Sequence, residues 1–240
     1  MTIDLKIEDG VAAITIDRPH ARNAIARHTM DELDKAIDAA AGARALVITG
    51  AGDRAFVSGG DLKELSAIRT ADEAVAMALR MRGICDRLAG FPAPVIAALN
   101  GHALGGGAEV AVAADIRVAA DDIKIGFNQV ALAIMPAWGG AERLGALVGP
   151  SRALLLAGTG TVLDAVDAAR IGLVDRVLPR AVFAEGWRAL AGSLAHRPAA
   201  EIKRLLRGGV SAADAARAFA GLWVAEEHWA AAERVLNRAR

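Results

Sequence analysis

Apolar and polar positions alternate from the start of the chain. Ile3, Leu5 and Ile7 are separated by polar residues, Asp9-Gly10 supplies a tight turn, and Val11 to Asp17 returns as a second strand. That pattern predicts a β-hairpin, ended by Arg18-Pro19. Thr29 and Glu32 have the spacing of a capping box, and Met30, Leu33, Ile37 and Ala40 follow at helical spacing. Ala45 to Thr49 is a short β-branched run bounded by glycine, which reads as a buried strand. The pattern then repeats. A helix is expected from Asp72 to Leu88 with Val75, Leu79 and Leu88 on its apolar faces, then a strand over Val95 to Leu99. A nearly all-apolar helix over Gly105 to Ala113 and a strand over Asp115 to Ala119 come next. Such alternation argues for an α/β or mixed core. From Ala181 the chain is alanine-rich and helical, broken at Arg197-Pro198 and Gly208-Gly209. Ser211 with Asp214 restarts a helix that runs nearly to the end. Its stripe of Leu222, Trp223 and Trp229 either packs against the main domain or forms a subunit interface.

Composition narrows the function classes. A chain of 240 residues suits one large domain, or a core with a small accessory region. Acidic and basic residues balance at 28 each, which offers neither nucleic acid nor an anionic membrane a basic surface. Cys85 is the single cysteine and reads as a small buried hydrophobe in a reducing compartment. No His or Cys cluster has metal-ligand spacing, so no metal is expected. Met1-Thr2-Ile3-Asp4 does not read as a signal peptide, and apolar runs are broken well short of the ~18 residues of a membrane span. A cytoplasmic location is the expectation.

Two glycine-rich turns carry the candidate chemistry. The first follows the strand at Ala45 to Thr49 and contains Ser58-Gly59-Gly60-Asp61, with Asp61 and Glu64 as a capping pair for a short helix. The second follows the strand at Val95 to Leu99 and places Gly105-Gly106-Gly107 at the start of the apolar helix. Amides at a helix start have no intrahelical acceptor and favour negative charge. Gly50-Ala51-Gly52 does not complete a dinucleotide G-x-G-x-x-G, no P-loop lysine follows the triple glycine, and no G-x-S-x-G elbow is present. Either cluster alone reads equally well as a packing turn.

Together they resemble the crotonase (enoyl-CoA hydratase/isomerase) family. Ala55-Phe56-Val57-Ser58-Gly59-Gly60-Asp61-Leu62-Lys63-Glu64 is similar to its A-F-x-A-G-A-D-L-K-E segment, and Asn100-Gly101-His102-Ala103-Leu104-Gly105-Gly106-Gly107-Ala108-Glu109 to its N-G-x-A-x-G-G-G-x-E segment. Arg18-Pro19 through Asn23-Ala24, Pro136 through Arg143-Leu144 and Ala168 through Asp175 extend the likeness in order and spacing. The resemblance implies a spiral of repeated β-β-α units over residues 1–180. It also implies a helical C-terminal region, residues 181–240, that builds homotrimers or hexamers as dimers of trimers. The implied ligand is an acyl-coenzyme A thioester, with no separate cofactor. The amides of Gly60 and Gly106 would hold the thioester oxygen as it becomes an enolate, one such donor being worth about 2.7–4 kcal/mol in rate. Ala21, Arg22, Ser58, Asp61, Leu62 and Lys63 would line the CoA site.

Glu109 sits one helical turn after Gly106 in a helix that reads as buried. A buried carboxylate needs a partner or a job. It is either a structural glutamate bonded to loop amides or a general acid/base with a raised pKa, the position of the first of the family's two hydratase glutamates. The second glutamate's position falls on Gln129, which can orient a group but carries no proton at neutral pH. No ionisable residue lies between Lys124 and Glu142 to replace it. Trp138, in Pro136-Ala137-Trp138-Gly139-Gly140, is either a wall of the acyl pocket or a mark of the ethylmalonyl-CoA decarboxylase branch, which its sequence resembles. His102 reads as a packed histidine beside the turn, and Arg143 as one half of a structural ion pair. The expected function is acyl-CoA processing through an enolate. The alternatives are decarboxylation of a methylmalonyl- or ethylmalonyl-type thioester and a non-catalytic CoA-binding role.

Overall fold

A computed structural model describes residues 1–238 of the chain. They form two units, Met1–Ala195 and a second that begins at His196. The chain opens with β1 (Ile3–Glu8) and β2 (Val11–Ile16), paired antiparallel from Ile3 opposite Ile16 to Glu8 opposite Val11. Asp9 and Gly10 take φ of 52° and 83°, the geometry a two-residue hairpin turn requires. α1 (Arg27–Ala39) follows and buries Met30, Leu33 and Ile37. The capping box expected of Thr29 and Glu32 does not form. Ala26 caps α1, and the Glu32 carboxylate instead accepts from the backbone N–H of Thr2 at 2.6 Å and Ile3 at 3.0 Å. Those bonds hold the Glu32 carboxyl below its ordinary pKa.

The rest of the first unit repeats one theme. Its elements are β3 (Ala45–Gly50), β4 (Ala55–Val57), α2 (Leu62–Leu65), α3 (Ala71–Gly90), β5 (Val95–Leu99), β6 (His102–Leu104), α4 (Gly106–Ala111), β7 (Ile116–Ala120) and β8 (Lys124–Gly126). A 3₁₀ turn, Asn128–Leu132, leads to α5 (Gly140–Val148), α6 (Pro150–Thr159), β9 (Val162–Asp164), α7 (Ala165–Arg170), β10 (Arg176–Leu178) and α8 (Phe183–Leu194). In each repeat a longer strand enters a six-stranded sheet, ordered β1-β2-β3-β5-β7-β10, and a short one enters a four-stranded sheet, ordered β4-β6-β8-β9. Helical chain follows each pair. β3 and β5 are buried along their whole length, which is why they read as continuous apolar runs rather than as alternation.

Two asparagines tie the sheets together. Asn100 accepts from the Gly50 amide at 2.8 Å and donates to the Gly52 carbonyl at 2.8 Å. Asn23 accepts from the Arg18 amide at 3.0 Å and donates to the Ala55 carbonyl at 2.7 Å. They satisfy the buried backbone of the β3–β4 corner, and so fix where β4 begins.

Two helical expectations change. α3 buries Met81, Ile84, Cys85 and Leu88, while Val75 and Leu79 are 56% and 62% exposed. The division between units falls after Ala195 rather than after residue 180, because α8 sends Phe183, Trp187 and Ala191 into the first unit's core. The second unit contains α9 (Arg197–Leu206), α10 (Ala212–Trp223) and α11 (Glu226–Arg238). Ser211 caps α10 by accepting from the Asp214 amide at 3.1 Å, but the helix breaks before Glu226 instead of running on. Trp223 meets the rings of Phe219, His228 and Trp229. Both tryptophans remain half exposed. No described helix is long and apolar enough to cross a membrane.

Candidate active site

β4 and β6 are parallel neighbours in the smaller sheet, Ala55 facing His102 and Val57 facing Ala103. The turns that leave their C-terminal ends therefore lie side by side. The site rests on that adjacency, because it brings two helix starts from distant sequence to one place. A Cβ built on Gly59 would lie 3.4 Å from the Gly106 nitrogen.

The first turn is clamped by a strand-like bridge. The Ile25 amide donates to the Gly59 carbonyl at 2.8 Å, and the Asp61 amide to the Ile25 carbonyl at 2.9 Å. Gly60 stands between these bonds, and its own N–H has no protein acceptor among the described residues. Asp61 caps α2 by accepting from the Lys63 amide at 3.2 Å, and Arg18 reaches its other carboxylate oxygen at 2.9 Å. The Arg18 hydrogen bond, set against some desolvation, holds the Asp61 carboxyl below the ordinary aspartate range. Glu64 does not complete the expected capping pair and accepts from the Arg27 amide at 3.0 Å instead.

The second turn is clamped by packing. Gly105 donates to the Gly126 carbonyl at 2.9 Å, and α4 begins at Gly106, whose N–H also lacks a protein acceptor among the described residues. All of α4 is buried. A Cβ on Gly107 would fall 1.8 Å from the Val57 carbonyl oxygen, and one on Gly106 would fall 2.1 Å from the Trp138 ring. Only glycine permits either approach.

Glu109 is 2% exposed and takes three hydrogen bonds. Its Oε2 accepts from the Trp138 amide at 2.7 Å and the Gly140 amide at 3.0 Å, while Oε1 accepts from Gln129 Nε2 at 2.9 Å. Gly140 opens α5, so the positive end of that helix dipole faces the carboxylate. Burial nevertheless prevails over these bonds and pushes the Glu109 pKa above its ordinary value. Gln129 is itself buried, and its Oε1 has no protein hydrogen-bond partner among the described residues.

A cleft of about 1080 Å³ runs from this centre to the surface. Gly60, Gly106, Glu109, Gln129 and Trp138 line its inner end. Ala21, Arg22, Ser58, Asp61, Leu62 and Lys63 line it as well, so every residue singled out from the sequence for the site borders one cavity. Arg18, which orients Asp61, and the apolar rim of Leu132, Ile134 and Met135, which is 56%, 58% and 75% exposed, also line the cleft without being marked as site residues by any sequence motif. The signal for the rim was present as an apolar run after Gln129, but its exposure follows from a 3₁₀ turn ended by Ala133 at φ 54°. His102 is exposed and lies outside the cleft lining, its Nδ1 accepting from the Lys124 amide at 3.0 Å. Arg143 pairs with Asp86 and donates to the Trp138 carbonyl at 3.2 Å, which steadies the loop over Glu109. Cys85 is fully buried, its thiol pushed up to about 12 by desolvation. No cluster of three metal-ligating side chains occurs among the described residues.

Known proteins resemble the chain over most of its length. The family described as Enoyl-CoA hydratase/isomerase matches residues 6–219. A probable enoyl-CoA hydratase of Bacillus subtilis is 36% identical over 208 residues, 85% of this chain and 80% of that protein. A short-chain-enoyl-CoA hydratase of Clostridium acetobutylicum is 40% identical over 177 residues, 72% of this chain and 67% of that protein. The crystal structure of an enoyl-CoA hydratase from Bacillus anthracis aligns with a TM-score of 0.90 at 28% identity, over 99% of this chain and 97% of that one.

Proposed function

The chain belongs to the enoyl-CoA hydratase/isomerase family, and from that premise we propose that it hydrates a short 2-enoyl-CoA thioester with Glu109 as its only proton carrier. The observation that carries this reading is the pair of unpaired amides, Gly60 and Gly106, opening on the same cleft as a buried carboxylate. Water adds its oxygen to Cβ while Glu109 takes its proton. Electrons move onto the thioester oxygen, where the two amides hold the enolate. Glu109 then returns the proton to Cα, and the 3-hydroxyacyl thioester leaves. A preorganised donor aimed at developing charge is worth about 10²–10³ in rate. A raised pKa suits Glu109 to both halves of this cycle.

CoA would enter past Ala21, Arg22 and Lys63, and the Leu132, Ile134 and Met135 rim offers the acyl group an apolar wall. Trp138, packed across Gly60 and Gly106, closes the inner end and favours a short chain. In this reading the protein works in the cytoplasm as a homotrimer or a hexamer. Gln129 in place of a second acid favours one other reaction, decarboxylation of a malonyl-type thioester, which forms the enolate without activating water. The test supplies crotonyl-CoA and methylmalonyl-CoA separately, reading thioester absorbance and CO₂. Consumption of crotonyl-CoA, reduced about 10²–10⁴-fold in Glu109→Gln, is the expected result. CO₂ release with no hydration would move the assignment to the decarboxylase, and tight CoA binding with neither would leave a binding protein.

A further inference from the structure

Glu109's two oxygens are not equivalent. Oε2 is committed to two amide donors, Trp138 and Gly140, both on the loop that enters α5. Backbone amides cannot turn around and accept, so they keep charge on Oε2. A proton arriving at this carboxylate is therefore placed on Oε1, which faces Gln129. Gln129 donates its Nε2 to Oε1 at 2.9 Å and leaves its own Oε1 buried with no protein partner among the described residues. A buried acceptor left unsatisfied costs about 1–3 kcal/mol, so its presence calls for a state in which it is used. An amide can supply that state, since one half-turn exchanges its donor and its acceptor.

We propose that Gln129 is a positioning residue that reverses its hydrogen bond as Glu109 changes protonation. Nε2 donates to the Glu109 carboxylate. Once Glu109 Oε1 carries the proton, the amide turns over and Gln129 Oε1 accepts from it. No charge moves except the proton itself, which arrives from the cleft and resides on Glu109 Oε1 until it is returned. The inference rests on Glu109 being the proton carrier. It assigns Gln129 a role that needs no charge of its own, since the one side chain is donor in the first state and acceptor in the second.

No neighbouring group takes the proton instead. On α3, Arg82 is bonded to Glu142 at 2.7 Å, Asp86 is paired with Arg143, and the Cys85 thiol lies far above neutral pH. On α5, Arg143 and Glu142 are the other halves of those pairs. β4 and β5, which also pack on α4, carry no titratable side chain, and His102 on β6 is turned outward to Lys124.

Hydrogen positions decide the matter, so the test is neutron diffraction from deuterated crystals of the protein, held above and then below the titration of Glu109. Above it, Gln129 Nε2–D points at Glu109 Oε1. Below it, Glu109 Oε1–D points at Gln129 Oε1, and the amide has turned. Nε2 still donating to a deuterated Glu109, or the deuteron sitting on Oε2, overturns the proposal. Neither result depends on turnover, so a failure here is separate from a failure of the hydratase reading. A kinetic arm uses Gln129→Met, which keeps the length and removes both hydrogen-bonding atoms. With thermal melting confirming a folded variant, kcat is expected to fall about tenfold with KM within twofold. An unchanged kcat would contradict the assignment.

Discussion

The turn at Gly105–Gly107 is held by packing, whereas the turn at Ser58–Asp61 is held by hydrogen bonds and one ion pair. Around the first, α4 is wholly buried, and neither Gly106 nor Gly107 has space for a Cβ. Around the second, α2 is a single turn with no buried residue, and the Ile25 bridge with the Arg18–Asp61 pair does the fixing. Both deliver one free amide to one cleft. The difference teaches that the two turns of the proposed oxyanion hole can fail in different ways. Damage to the Gly106 side is a stability defect that also removes activity. Damage to the Gly60 side is first a defect of alignment, with a stability cost that depends on pH.

Gly107→Ala should have the largest effect. Its Cβ meets the Val57 backbone rather than a flexible side chain, so helix α4 and strand β4 must part, at a cost of about 3 kcal/mol or more. Melting should fall by roughly 6–12 °C for a chain of this size. A melt within a degree or two of the parent would show that the second turn is not set by packing.

Arg18→Met should come next, at about 2 kcal/mol at neutral pH, since it strands a mostly buried carboxylate. The sign with pH follows from the depressed Asp61 pKa. Its contribution is full above the unfolded aspartate value of about 3.9 and disappears as pH falls through the lower folded value. Urea unfolding at pH 7 and in strong acid should show the gap between parent and variant closing on the acid side. A gap that is constant with pH would place the role of Arg18 elsewhere than on Asp61.

Glu109 gives the opposite sign. Burial raises its pKa, so the site titrates above the ordinary glutamate range, and the ionised form destabilises the fold as pH rises through that value. Glu109→Gln should therefore melt no lower than the parent at neutral pH while losing turnover, and the parent's rate should fall as pH drops through the raised pKa. A clearly lower melt would mean that the amide bonds outweigh desolvation. Lys63→Ala is the smallest change. The side chain is exposed, so melting should not move and KM for the CoA thioester should rise a few-fold at most, with salt weakening the difference.

How far the sequence carries differs between the same two regions. The strands β1, β2, β3, β5 and β7, the α4 helix and the glycine turns are legible in the sequence, because apolar runs and glycine spacing report burial and close approach directly, whereas the three-residue strands β4, β6, β8, β9 and β10 are too short to leave a pattern. What short-range pattern does not report is which distant partner a polar group chooses. Glu32 has the spacing of a cap and goes to Thr2 and Ile3. Glu64 goes to the Arg27 amide, which only the bridge between Ile25 and Gly60 brings near. Val75 and Leu79 keep helical spacing and yet face outward. Gln129 was visible as a departure from an acid, but its unpaired oxygen becomes visible only once Glu109, Trp138 and Gly140 are placed around it.

The central claim is that Gly60 and Gly106 hold an enolate that Glu109 protonates at Cα. The most direct measurement is NMR of the product formed from crotonyl-CoA in D₂O. The account predicts 3-hydroxybutyryl-CoA bearing one deuterium at C2 with the parent protein and at most a trace with Glu109→Gln. Equal product from the two proteins, or none from folded parent protein that binds CoA, would contradict it.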